Sequence, residues 1–310
     1  MMHLKCLHRK RPGNRAFLLF IGGVLLLLLA GCGQNGGGTA VAAAETEQRA
    51  IQNKGSDTLV NVALAWAEAY RVVDPTVSIA VTGGGSGTGI AALINGTVDI
   101  ANASRPMKED EINQALANGI DPVEHVVAID ALAVILNLEN PVSELTIDQL
   151  ADIYTGRITN WQEVGGNDAP IVLLSRETNS GTHVYFLEEV VRKGEKENKD
   201  IFAPQTLLMP SSVGITSEIR RNPNAIGYDG LGYVDTTHEK VVAVAADSDS
   251  PFVSPSVATA ASGEYPLSRN LFMYTAGEPT GVVAEYFSWI LGPEGQAIVA
   301  KLGFVPLTAE

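Results

Sequence analysis

Two cysteines in 310 residues, Cys6 and Cys32, are too few for a disulfide scaffold or a cysteine-based zinc site. Histidine is equally sparse. Only His125, His183 and His238 lie beyond residue 31, without paired ligand spacing, so neither metal nor cofactor is expected. No G-x-x-x-x-G-K-[ST] and no G-x-G-x-x-G stands in register, which leaves a nucleotide site unsupported. The G-x-S-x-G elbow of serine hydrolases is missing as well. Beyond residue 30 there is no second long apolar run, so the chain is no membrane channel. Neither internal repeats nor a low-complexity block after residue 45 interrupts a composition that is 45% hydrophobic and 18% charged, as in globular domains. Basic residues are scarce where it matters. Five of the 21 lie in the first 31 residues, and residues 32–310 carry a net −19, which repels nucleic acid.

What is present begins with an address. A basic start precedes an apolar run over 16–30 that is short for a spanning helix, the pattern of a secretory signal. It closes on Leu29-Ala30-Gly31-Cys32, which resembles a bacterial lipobox. Residues 1–31 are therefore expected to be a lipoprotein signal peptide, with Cys32 lipidated and anchored in the cell membrane on its extracytoplasmic face. Residues 32–50, rich in Gly and Ala, read as a flexible tether, and the folded body is expected from Ile51.

The body alternates helical and strand patterns, which predicts a mixed α/β fold. Helical spacing covers 59–71, 88–95, 108–118, 146–154, 182–191, 282–291 and 295–301. Strand patterns cover 77–81, 98–101, 126–137, 171–175, 226–228, 241–245 and 271–274. Four small-residue loops stand between these elements: Lys54–Thr58, Gly83–Gly89, Ala103–Pro106 and Ser175–Thr182. Each offers hydroxyls and free backbone N–H groups ahead of a helix, a setting that favours an anion. Arg105 and Arg176 add forked donors suited to a tetraoxyanion. Taken singly, such loops are more often helix caps and turns than ligand sites.

The order and spacing of all four loops resemble the phosphate-binding protein of bacterial phosphate ABC transporters, in its short lipoprotein-type branch. The likeness runs from about Ile51 to Leu307. It implies a periplasmic-binding-protein clamshell of two lobes, each a mixed sheet flanked by helices, joined by a crossover hinge. The expected division is 51–130 with 235–310 as one lobe and 131–234 as the other. Carried over by position, the implied phosphate ligands are Ser56, Asp57, Thr58, Ser86, Ser104, Arg105, Arg176, Ser180, Gly181 and Thr182. The third motif departs from the better-known long branch, which has an Asp as phosphate-proton acceptor where this chain has Arg105. Asp57, charge-balanced by Arg105, is the expected substitute, with Glu177 second. The implied partners are inorganic phosphate and a membrane-embedded permease, the protein itself being a monomer and not an enzyme. Trp66 and Trp161, on opposite lobes, are expected to report closure by fluorescence. Rival readings are a binding protein for sulfate, molybdate or another small anion, an adhesion lipoprotein, and a phosphate-ester hydrolase using His183 beside Ser180.

Overall fold

Hydrophobic patterning and structure agree on alternating strands and helices, which the computed structural model describes over residues 49–307. The chain runs through β1 (Arg49–Gly55), α1 (Asp57–Val73), β2 (Val77–Thr82), α2 (Ser86–Ile94), β3 (Ile100–Ala103), α3 (Glu109–Ala117) and the long β4 (Pro122–Asn137). It continues with β5 (Glu144–Thr146), α4 (Ile147–Thr155), β6 (Val172–Arg176), α5 (Gly181–Phe186), β7 (Leu207–Met209), α6 (Ser212–Arg221) and β8 (Ala225–Gly230). β9 (Glu239–Val241), β10 (Ala243–Ala245), α7 (Val257–Ala261), β11 (Ser268–Ala276), α8 (Gly281–Ile290) and α9 (Pro293–Lys301) follow. The expected signal peptide, Cys32 and the tether up to residue 48 lie outside the described residues. Arg49 and Ala50, expected in the tether, pair in parallel with Val77 and Ser78 and so belong to β1.

The strands form one curled sheet in the order β2-β1-β3-β11-β4-β8-β6-β7, with β9 also on β4, while β10 pairs β5 separately. β4 is the strand common to both halves of the clamshell. Its residues 122–131 pair β11, and 132–136 pair β8. Each half has its own core. Leu59, Val62, Ala63, Trp66 and Tyr70 recur at helical spacing on α1 and bury against Ile51, Tyr286 and Phe287. In the other half Leu150, Ile153 and Tyr154 of α4 pack with Trp161, Phe186 and Tyr228. Where β4 leaves one core for the other, Leu132 N–H donates to Leu267 O at 2.8 Å, so two passages of the chain lie side by side.

The segment after residue 235 differs from expectation. β9 pairs β4 at Ile135–Asn137, β10 pairs β5, and Val242, Val244, Tyr265 and Leu267 are buried in the core that contains Trp161. Residues 239–267 therefore pack with the second half, because their apolar positions face its core. The chain returns to the first half only at β11.

Candidate functional site

Parallel strands bring the four loops together. β1 lies between β2 and β3, parallel to both, so their carboxyl ends deliver Gly55–Thr58, Gly83–Ser86 and Ser104–Arg105 to one edge. β6, parallel to β8 and β7, delivers Glu177–Thr182 from the other half. Loops at the carboxyl ends of parallel strands are where open α/β sheets hold ligands.

Close backbone approach holds the first three loops. Gly55 adopts φ +144°, and a Cβ there would run into Asn102 O, a conformation and a space that only glycine tolerates. Ser56 N–H donates to Asn102 O at 2.9 Å and Gly85 N–H to Gly55 O at 3.0 Å. Ser86 Oγ accepts from Ser104 N–H at 3.0 Å and lies 3.3 Å from Ser104 Oγ. Gly181 faces these two hydroxyls so closely that a Cβ there would collide with both. Thr58 Oγ1 and Thr182 Oγ1 meet at 3.0 Å across the two halves. Ser180 Oγ accepts from Thr182 N–H at 3.2 Å, which caps α5.

Arg176 is the pivot of this cluster. It is 1% exposed, and Nη2 donates to Asp57 Oδ2 at 2.6 Å. Nη1 donates to Ser212 Oγ at 3.1 Å, and Ser212 Oγ donates to Asp229 Oδ1 at 3.0 Å. Asp57 accepts Gly84 N–H on its other oxygen at 3.0 Å, so this carboxylate ties loops one, two and four.

Nine of the ten expected ligand residues thus come to one edge, and one turns away. Arg105 is buried beside Ser104, but its guanidinium makes two 2.7 Å hydrogen bonds to Glu111 and one of 2.8 Å to Pro106 O. It does not balance Asp57; Arg176 does, because Glu111, six residues on, captures Arg105 first. Glu177, the second acceptor candidate, is exposed. His183 does not join Ser180. Its Nδ1 lies 3.0 Å from Ser175 Oγ, and its ring packs against Phe202.

Sequence reasoning missed Arg269, Asp130, Ser212 and Asp229. Arg269 Nη2 lies 2.9 Å from Asp130 Oδ2, 2.9 Å from Thr182 Oγ1 and 3.4 Å from Thr58 Oγ1. Burial raises the carboxyl of Asp130 against the opposing charge of Arg269. Burial likewise pushes Asp229 up to about 6, against Arg176 and its hydrogen bonds. The signal in sequence was faint: Asp229 precedes a glycine at a strand end, and Arg269 follows a serine before an apolar run. Beside the cluster a cavity of about 320 Å³ is lined by Ser104, Arg105, Tyr185, Ser268 and Arg269. Hydroxyls, amide hydrogens and fixed guanidiniums with carboxylate counterweights can bind and desolvate a small oxyanion; among the described residues no group of three metal-ligating side chains could hold a cation.

Comparison with known proteins identifies the family of this fold. The family model of the PBP superfamily domain matches residues 40–294. The phosphate-binding protein PstS of Pseudomonas aeruginosa is 34% identical over 278 residues, covering 84% of this chain and 84% of that protein. Its namesake in Bacillus subtilis is 30% identical over 304 residues, covering 95% of each. An ABC-transporter substrate-binding protein from Clostridium perfringens, crystallised with bound phosphate, superposes with a TM-score of 0.74 at 35% identity, covering 84% of this chain and all (100%) of that one. An ABC-type phosphate transport receptor from Vibrio cholerae gives 0.66 at 29% identity, covering 83% and 100%. Half-matching folds alone would not decide the matter, but similarity of this extent does: the chain belongs to the PBP superfamily and, within it, to the family of the PstS phosphate-binding proteins.

Proposed function

We propose that the chain captures inorganic phosphate outside the cytoplasm and delivers it to the membrane-embedded permease of an ABC importer. It binds without catalysing. The observation that carries this reading is the meeting of Thr58 with Thr182, and of Ser86 with Ser104 and Gly181, beside the buried Arg176. A tetrahedral oxyanion needs donors arriving from several directions, and these come from four loops on two halves. Closing the halves removes water, and hydrogen bonds to a charged acceptor then strengthen in the lower dielectric. Ser56, Asp57, Thr58, Ser86, Ser104, Arg176, Ser180, Gly181 and Thr182 form the proposed ligand set, without Arg105.

Phosphate near neutral pH keeps a proton that sulfate lacks. Asp57, on the rim of the cluster and fixed by Arg176 and Gly84, is the proposed acceptor of that proton. A fixed carboxylate repels an anion that brings no proton, at a cost of several kcal/mol. Asp57→Asn should therefore bind phosphate less tightly and sulfate more tightly, narrowing the phosphate-to-sulfate ratio by at least about tenfold. Parallel calorimetric titrations check this; an unchanged ratio moves the acceptor elsewhere.

The wider reading has the protein as a lipid-anchored monomer held by Cys32. Its proposed lobes are 49–130 with 268–307, and 131–267, the pairing of β9 and β10 supporting the later return. Against hydrolysis, Ser180 Oγ is engaged by Thr182 N–H and His183 by Ser175. The deciding experiment titrates the purified protein with phosphate, arsenate and sulfate and assays phosphate-ester hydrolysis alongside. Saturable heat with phosphate and arsenate, none with sulfate, and no hydrolysis are expected. Absence of phosphate binding refutes the reading.

A further inference from the structure

We propose that Arg269 is a second guanidinium ligand of the captured anion, and that Asp130 is the positioning residue that aims it. This rests on the reading of the cluster as a phosphate site and adds to it a residue from the far end of the sequence. Arg269 and Asp130 are direct cross-strand partners on β11 and β4, where the chain passes between the halves. Both Nε and Nη2 of Arg269 reach Asp130 Oδ2, at 3.2 and 2.9 Å, so one carboxylate oxygen fixes the plane of the guanidinium. The face of Tyr185 packs 5.2 Å from its central carbon and closes a further direction.

Held this way, Arg269 presents Nη2 to the two threonines that span the halves, 2.9 Å from Thr182 Oγ1 and 3.4 Å from Thr58 Oγ1. A guanidinium only donates, whereas each hydroxyl has one proton to give. Contact with Arg269 therefore occupies acceptor positions on both threonines. One threonine proton serves the 3.0 Å bond between them, and the other is left to point at an acceptor. That acceptor is an anion oxygen. The remaining nitrogen, Nη1, is buried and has no hydrogen-bond partner among the described residues, although Arg269 is only 7% exposed. A buried guanidinium with an unused N–H group beside two aligned hydroxyls is an incomplete network, and a tetraoxyanion completes it. Arg105 does not supply this charge, since Glu111 holds it on two hydrogen bonds.

The first test uses the unaltered protein crystallised with arsenate, located by its anomalous scattering. An arsenate oxygen within about 3.2 Å of Arg269 Nη1 or Nη2 is expected. An anion whose oxygens all lie beyond about 4 Å of the guanidinium overturns the proposal. The second test is calorimetry with phosphate on Arg269→Gln, Arg269→Lys, Asp130→Asn and the double variant of Arg269→Gln with Asp130→Asn. Arg269→Gln should lose at least about tenfold in affinity, and Arg269→Lys should recover part of it. Asp130→Asn should weaken binding only while Arg269 is present, a coupling that a general loss of stability does not produce. Wild-type affinity in Arg269→Gln removes Arg269 from the site while leaving the phosphate reading intact. No phosphate binding by the unaltered protein removes both. If Arg269→Gln does not fold, the arsenate position alone decides.

Discussion

Asp229, next to last in β8, is fully buried, one oxygen receiving Ser212 Oγ and Gly230 N–H and the other without a hydrogen-bond partner among the described residues. Burial lifts its carboxyl to about 6 from 3.8 despite the nearby Arg176 charge. The folded state therefore holds this proton more tightly than the unfolded chain. Stability from this group is greatest below the unfolded value and is lost as pH rises toward the folded one, at no more than about 1.4 kcal/mol per pH unit. Asp229→Asn keeps an oxygen for Ser212 and Gly230 but cannot titrate. Its unfolding free energy relative to wild type should rise from about pH 4 to about pH 6 and then level, as read by denaturant unfolding at several pH values. A difference that stays flat would assign no titration to Asp229. Arg176 makes a second prediction at this scale. Charged hydrogen bonds contribute about 1.5–3 kcal/mol each, so Arg176→Ala should weaken phosphate binding by at least about tenfold in calorimetry. The loop serines, threonines and Arg176 were legible in sequence because each sits in a compact motif. Arg269 was not, because its partner Asp130 lies 139 residues away and only the sheet brings them together. Motif spacing also could not tell which way Arg105 turns.

At the scale of elements, the strongly periodic helices and strands were legible, including α1, α2, β6 and α5 beside the site, whereas β1 and α6 were not. β1 turns Ile51, Asn53 and Gly55 inward, one apolar residue in three, because its end forms the first loop. α6 buries Ser212, Ile215, Thr216 and Ile219, a correct helical spacing in which two of four positions are hydroxyls. Ser212 occupies such a position because it links Arg176 to Asp229. The 241–245 pattern read as one strand but is two, since Val242 N–H bonds Val134 O between a stretch paired to β4 and another paired to β5. Gly89 gives a test of element packing. It lies in α2 where a Cβ would strike Lys54 O and the Gly55 Cα. Alanine gains about 1 kcal/mol of helix propensity over glycine. Forcing α2 from β1 costs typically about 1–3 kcal/mol and shifts the loop that carries Ser86. Gly89→Ala should therefore lower the denaturant midpoint and the phosphate affinity together. A midpoint at or above wild type would mean that propensity wins and the helix yields without strain.

Across the whole molecule, binding must couple to the meeting of two halves inside an acidic body. Trp66 and Trp161 are poor witnesses to that motion. Each is buried in the core of its own half with its ring N–H on a backbone carbonyl, Gly295 O and Asn224 O, so neither environment should change much on closure. The contacts that do span the halves include a clasp at the mouth of the cluster. Asn179 Nδ2 donates to Gly84 O at 2.8 Å, and Gly87 N–H donates to Asn179 O at 2.9 Å. The side-chain bond is exposed and neutral, worth about 1 kcal/mol, or roughly fivefold in an equilibrium constant. It forms only after the halves have met, so its loss should appear in release rather than capture. Asn179→Ala keeps the backbone bond from Gly87 and touches none of the proposed anion ligands. Radiolabelled phosphate chased with excess unlabelled phosphate should leave this variant about fivefold faster than wild type, with the association rate nearly unchanged. Slower association with unchanged release would instead mean that the clasp is already made before the anion arrives, and that the closed arrangement is what phosphate selects rather than what it produces.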